Sequence, residues 1–125
     1  MRIAVQSETD KNETRVAATP ETVKKYRGLC AEVVIQSGAG TKSGFADAEY
    51  AAAGATIAQS AAAAADNAEI VLRVRRPAPG ELSGVARGAA VLAIADPFGH
   101  EKELAALAQT GATLFAMELM PRITR

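Results

Sequence analysis

The closing stretch, Ala112-Thr-Leu-Phe-Ala-Met-Glu-Leu-Met-Pro-Arg-Ile-Thr-Arg125, sets how the rest of the chain is read. Thr113 to Met117 predicts a buried strand. Glu118 follows at once, and Pro121 then removes a ladder donor. Arg122 and Arg125 come next, two cations on an irregular segment at the strand's carboxyl end. Ligands of open α/β sheets bind in the crevice beyond the carboxyl ends of the strands. The segment from Pro121 onward therefore reads as the start of a functional loop, and the sequence as the front part of something longer.

Outward from that strand, short apolar runs recur. Ile3 to Val5, Val33 to Ile35, Ile70 to Val74 and Ala90 to Ala95 predict strands, with a further short one over Ala55 to Ile57. Helical segments lie between them. Thr19-Pro20-Glu21 is a helix start, with a hydroxyl cap, proline in the first turn and an early acid. Val23, Tyr26 and Leu29 give that helix an inner face, and Gly28 lies near its end. Asp47 to Ala53 predicts a short helix closed by Gly54. Ser60 caps an alanine-rich helix running to about Asn67, and Glu81 to Val85 holds one or two helical turns. Glu101 to Gln109 is amphipathic through Leu104, Leu107 and Ala108.

Apolar strands alternating with helices predict an α/β fold. The sheet is mostly parallel with helices on both faces, a Rossmann-like (flavodoxin-like) three-layer domain. Right-handed crossovers bring the carboxyl ends of the strands to one edge. That edge gathers 6–15, 37–44, 75–77, 96–99 and 118–125.

Composition narrows the function classes. The 125 residues suit a single domain with one core. Lys and Arg number 14 against 14 Asp and Glu, which gives no electrostatic case for nucleic acid or an anionic membrane as main partner. The single cysteine, Cys30, excludes an internal disulfide and fits a reducing compartment. No apolar run approaches the roughly 18 residues of a membrane span, and the chain enters a strand at once, without a signal peptide.

The motifs are individually weak. Gly38-x-Gly40 follows a strand, but Ser43 stands where a dinucleotide fingerprint needs its third glycine, and 55–59 contains no acid. Thr41 before Lys42-Ser43 likewise fails the phosphate-loop pattern, so the stretch reads as a strand-to-helix turn. Arg73 and Arg75 are expected on one strand face and Arg76 on the other. They read either as a carboxylate- or phosphate-holding fork or as a strand end with internal ion pairs. Asp96 reads as a turn cap or a ligand-orienting carboxylate. His100 and Cys30, with no acid cluster around either, make neither a zinc site nor a nucleophile triad. No catalytic or metal-binding residue is assigned.

Together these pieces resemble the alanine dehydrogenase and pyridine nucleotide transhydrogenase family. The resemblance rests on Met1-Arg-Ile-Ala-Val5 with Glu8, Asn12-Glu13, Arg15-Val16 and Thr19-Pro20. Val33-x-Ile35 leading to Ser37-Gly-Ala-Gly40, Tyr50, Ala52-Ala-Gly-Ala55 and Val71-x-Arg73-Val74-x-x-Pro77 continue it. The ending Ala116 to Arg125 is its most specific part and is similar to the alpha subunit branch of the proton-translocating NAD(P) transhydrogenases. Alanine dehydrogenases carry a lysine and a histidine for their amino-acid substrate where this chain has Arg75 and Asp96. Arginine stays protonated and aspartate is not a neutral imidazole, so neither can do that work.

The resemblance implies an N-terminal domain over 1–125, cut short of the NAD-binding Rossmann domain that follows in the family. It implies an oxidoreductase only within the complete complex, passing hydride from NADH to NADP with proton translocation. NAD(H) is bound by the full-length subunit and NADP(H) by a partner subunit, with no tightly bound cofactor on this piece. Arg122 resembles the arginine that contacts the nicotinamide, and Arg125 is its neighbour in the same cofactor-binding loop. A homodimer is implied, assembled with membrane and NADP-binding components on the cytoplasmic face of the inner membrane, without direct insertion. Cys30 departs from the glycine usual there. Two other readings stay open. One is a fragment of an amino-acid dehydrogenase. The other is a stand-alone module that binds an anion or partner through Arg15, Arg75 and Arg122.

Overall fold

A computed structural model describes residues 1–122. Six strands form one sheet: β1 (Arg2–Val5), β2 (Glu32–Gln36), β3 (Thr56–Ala58), β4 (Ile70–Arg75), β5 (Ala90–Ile94) and β6 (Thr113–Ala116). All neighbouring strands pair in parallel, in the order β3-β2-β1-β4-β5-β6. Of the two common doubly wound orders, this is the dinucleotide-fold one, with its reversal between β1 and β4.

The helices are α1 (Pro20–Gly28), α2 (Asp47–Ala52), α3 (Ala61–Ala65) and α4 (Glu101–Ala108), and β4 leads into a 3₁₀ turn at Pro79–Leu82. Thr19 caps α1 by accepting from the Thr22 amide, and Ser60 caps α3 by accepting from the Ala63 amide. Helix α3 is shorter than its alanine run suggests, because Asp66 leaves the helical region and Asn67 turns to φ 56°. The expected inner-face residue Leu29 sits past the end of α1 and is 79% exposed. Cys30 follows with φ 64°, the left-handed turn for which glycine is the usual residue.

Two cores flank the sheet. One gathers Val5, Val23, Val33, Ile35 and Tyr50 beneath α1 and α2. The other gathers Ala4, Val71, Leu82, Val91 and Leu107 beneath the 3₁₀ turn and α4. Register shows where the first face runs out of cover. Ile35, Val5, Leu72, Leu92 and Phe115 stand side by side across five strands. Ile35 and Val5 are fully buried, Leu72 and Leu92 half-buried, and Phe115 is 52% exposed. Among the described residues no helix is long and apolar enough to cross a membrane.

Candidate functional site

The strands end at unequal heights on the carboxyl edge, and each overhang exposes backbone N–H groups. Side chains finish the ladder there. Strand β1 stops pairing with β4 at Val5–Leu72, yet β4 runs on to Arg75. The Glu8 carboxylate takes over, accepting from the Val74 amide at 3.0 Å and the Arg75 amide at 2.9 Å. Beyond the β5–β6 pairing, Glu118 does the same for Ala95 (3.1 Å) and Asp96 (2.8 Å). Gln36 at the end of β2 accepts from the Ser7 amide at 2.9 Å. Each replaces a lost partner for a group that is costly to leave unpaired.

Arg15, Arg73 and Arg75 of this edge are ion-paired within the chain. The Arg73 side chain is 1% exposed and lies 2.9 Å from Glu81 and 3.3 Å from Glu8. Arg75 reaches Glu13 at 2.9 Å and Asp10 at 3.7 Å. The expectation that Arg73 and Arg75 share a face assumes a regular strand, and both line one cleft with different partners. Register slips between Leu72 and Arg75, where three steps on β4 match two on β5, and such an extra residue breaks the alternation. Arg73 lies buried against Glu81 and Glu8, and Arg75 lies half-exposed against Glu13 and Asp10. Arg76 donates to the carbonyls of Ala95 and Asp96. Arg15 forms a fork on Glu13, with both bonds at 2.8 Å. That pairing comes first among the causes holding the Glu13 carboxyl at about 2, against an ordinary 4.5. The hydrogen bond from the Asp96 amide, then that from Ala95, holds Glu118 below its usual range against partial desolvation.

A cleft of about 240 Å³ opens between these groups, with Glu8, Asp10, Arg75, Arg76 and Asp96 among its walls. Asp96 adopts φ 46°, and its side chain is 74% exposed. Among the described residues its carboxylate accepts no turn amide; His100 Nδ1 lies 2.9 Å from its carbonyl oxygen and 3.7 Å from its carboxylate. A second cavity of about 250 Å³ lies between α4 and the sheet, walled by apolar residues such as Leu104, Leu107 and Leu114.

The glycine loop holds a carboxylate of its own. Asp47 accepts from the Ser37 hydroxyl at 2.6 Å and the Gly38 amide at 2.9 Å. The Ser37 bond leads in holding Asp47 below its ordinary range. An anionic group already occupies the turn and opposes a phosphate there. Gly40 is needed for close approach, since a Cβ would lie 2.6 Å from the Tyr50 ring.

Arg122 is exposed on the irregular segment after Met120. Met117, Leu119 and Met120 beside it are 37%, 57% and 59% exposed. Arg125 lies outside the described residues. Glu8, Glu13 and Glu118 were legible as acids at strand ends but not as ladder caps or arginine partners. For Glu8 and Glu118 the signal was available, an acid within three residues of the end of an apolar run on a strand shorter than its neighbour; Glu13, well into the loop, carried none.

A parallel doubly wound sheet with a charged crevice at its carboxyl edge defines an α/β domain of the dinucleotide-fold type. The chain belongs to the alanine dehydrogenase/PNT N-terminal domain family, whose pattern matches residues 4–125. NAD(P) transhydrogenase subunit alpha of Cereibacter sphaeroides is 38% identical over 125 residues, all of this chain and 24% of that protein. Alanine dehydrogenase of Halomonas elongata is 34% identical over 118 residues, covering 94% of this chain and 32% of that protein. The crystal structure of transhydrogenase from Sinorhizobium meliloti superposes with a TM-score of 0.91 at 48% identity, over 99% of this chain and 37% of that one. The chain thus spans about a quarter to a third of the relatives' length, and the transhydrogenases are the stronger match.

Proposed function

We propose that this chain is the N-terminal domain of the NAD(H)-binding subunit of a proton-translocating NAD(P) transhydrogenase. The observation that carries this reading is the cleft chemistry at Arg75 and Asp96. Arg75 is already held by Glu13 and Asp10, and Asp96 adds an exposed carboxylate to the cleft wall. A 2-oxo acid would meet an arginine at position 75 already paired with Glu13 and a carboxylate at position 96 onto which His100 is turned, so amino-acid dehydrogenation is disfavoured. The same pairing weakens the stand-alone anion-binding reading, because Arg15 and Arg75 share Glu13.

The residues at the carboxyl edge fit one wall of a nicotinamide site. Arg122 supplies an exposed guanidinium beside exposed Leu119 and Met120. The glycine turn, filled by Asp47, supplies no pyrophosphate cradle. On this reading the rest of the longer protein brings a Rossmann domain that holds most of the dinucleotide. That further chain also covers the half-exposed face at Leu92 and Phe115. The nicotinamides carry the hydride chemistry, and Arg122 with Arg125 orients one of them. The subunit forms a homodimer and meets membrane and NADP-binding components on the cytoplasmic side, itself peripheral. Residues 1–125 alone bind NAD very weakly and transfer no hydride.

The test uses the full-length protein, assayed for hydride transfer from NADH to an NADP analogue in the presence of its partners. Turnover there, with none on alanine or on pyruvate with NADH, is expected. Arg122→Ala weakens NADH binding about tenfold, corresponding to loss of roughly 1.4 kcal/mol. Alanine-dependent NAD reduction overturns the reading, as does tight NAD binding by 1–125 in calorimetry.

A further inference from the structure

We propose that Glu118 is a positioning residue for Arg122, tethering the start of the cofactor loop to the end of β5. This rests on the role given above to Arg122. Met117, Leu119 and Met120 are all substantially exposed, so burial does little to hold the segment from Met117 to Arg122. Its internal turn, the Met120 amide to the Met117 carbonyl at 3.2 Å, ties it only to itself. Among the described residues, Glu118 makes the side-chain hydrogen bonds that join this segment to the rest of the domain.

The attachment point is itself held from two sides. Glu118 binds the amides of Ala95 and Asp96, while Arg76 from β4 donates to the carbonyls of the same two residues. Opposite charges thus grip opposite faces of one short backbone stretch, and Asp96 takes its left-handed φ of 46° within that grip. A left-handed non-glycine residue persists where its surroundings over-determine it. Arg122 stands four residues past Glu118 and beyond Pro121, which narrows the backbone freedom between them. Fixing the Glu118 carboxylate on β5 therefore restricts where the Arg122 guanidinium can go. Two bonds to one carboxylate fix orientation as well as distance.

The test is a double-mutant cycle on NADH affinity in the full-length protein, with amide exchange as a second readout. Glu118→Ala is expected to speed exchange at the Ala95 and Asp96 amides while leaving Val33 to Ile35 unchanged. It is expected to weaken NADH binding about tenfold, yet to change affinity by less than about twofold when Arg122 is already alanine, since a group acting through another has nothing left to act on. Glu118→Gln, which keeps one acceptor oxygen, recovers part of the affinity. Equal losses in both backgrounds overturn the proposal, because Glu118 then acts on the fold and not through Arg122. Unchanged exchange at Ala95 and Asp96 overturns the tether itself. If Arg122→Ala alone leaves affinity untouched, the nicotinamide role of Arg122 is what fails, and the Glu118 proposal falls with it.

Discussion

Replacing Arg73 by methionine is the sharpest perturbation of the crevice. The Arg73 side chain is 1% exposed, and its partners Glu8 and Glu81 are 4% and 17% exposed. Methionine fills much of the volume but leaves two carboxylates with their cation removed. Breaking a buried pair from one side typically costs about 3–5 kcal/mol, most of it the uncompensated charge left behind. With a urea slope of about 2 kcal/mol/M, the unfolding midpoint should fall by about 1.5–2.5 M. That is a large part of the roughly 5–15 kcal/mol a domain commands. The assay is urea unfolding followed by circular dichroism at neutral pH. A second variant separates charge from packing. Adding Glu81→Gln to Arg73→Met removes one stranded charge and should restore part of the midpoint, a coupling expected between contacting groups. A midpoint within about 0.5 M of the parent, equivalent to roughly 1 kcal/mol, would refute the reasoning. So would a double variant worse than the sum of its parts.

Three further outcomes are expected. Cys30→Gly relieves a left-handed L-residue costing about 1–2 kcal/mol while adding unfolded-state entropy of about 0.5–1 kcal/mol. Its melting temperature should therefore rise by about 2–4 °C in calorimetry for a domain of this size. Gly40→Ala places a Cβ 2.6 Å from the Tyr50 ring and 2.9 Å from Phe45 Cβ, and should destabilise by about 1–3 kcal/mol in denaturant titration. Glu13, with its folded value near 2, contributes stability that is fully present above its ordinary 4.5 and is lost as pH falls toward about 2. In melts between those limits, Glu13→Gln should show a shallower loss of stability with acid than the parent.

The positions of the strands were legible because apolar runs bounded by polar stretches leave few alternatives. The burial expected of Thr113 to Met117 is not met, since β6 is the sheet's edge strand and exposes Thr113, Phe115 and Met117. The start of α1 was legible because Thr19, Pro20 and Glu21 favour successive positions of one helix start, the cap and the first turn. Leu29 was misread because helical spacing carries no information about where a helix stops; the chain turns at Cys30, one residue too soon for Leu29 to reach the core. The irregularity between Leu72 and Arg75 was not legible, because a bulge depends on the neighbouring strand, which local sequence does not encode. Glu8, Glu13 and Glu118 find their roles only once strands distant in sequence are adjacent.

That last point bears on how one domain can stand in front of two chemistries. The edge of this sheet is completed by Gln36, Glu8 and Glu118, which bind backbone amides there, Glu8 also pairing with the Arg73 side chain. Backbone recognition is indifferent to what residues 75 and 96 carry. In this chain the amides of Arg75 and Asp96 are held by Glu8 and Glu118 through contacts that involve neither side chain, so a lysine and a histidine there are expected to leave them in place. The frame of the crevice is therefore separable from its reactive groups, and substitution at 75 and 96 changes the chemistry on offer without dismantling the edge. The coupling that does remain runs through Glu13, which binds Arg75 as well as Arg15. A lysine at position 75 would present a single ammonium to Glu13 where the arginine offers a planar fork. Arg75→Lys should thus leave the Glu8 bonds intact while loosening the loop around Glu13. Exchange at the Arg15 amide, which donates to Glu13, should quicken while exchange at Val74 stays as it was. Equal acceleration at both amides would mean that frame and chemistry are not separable here.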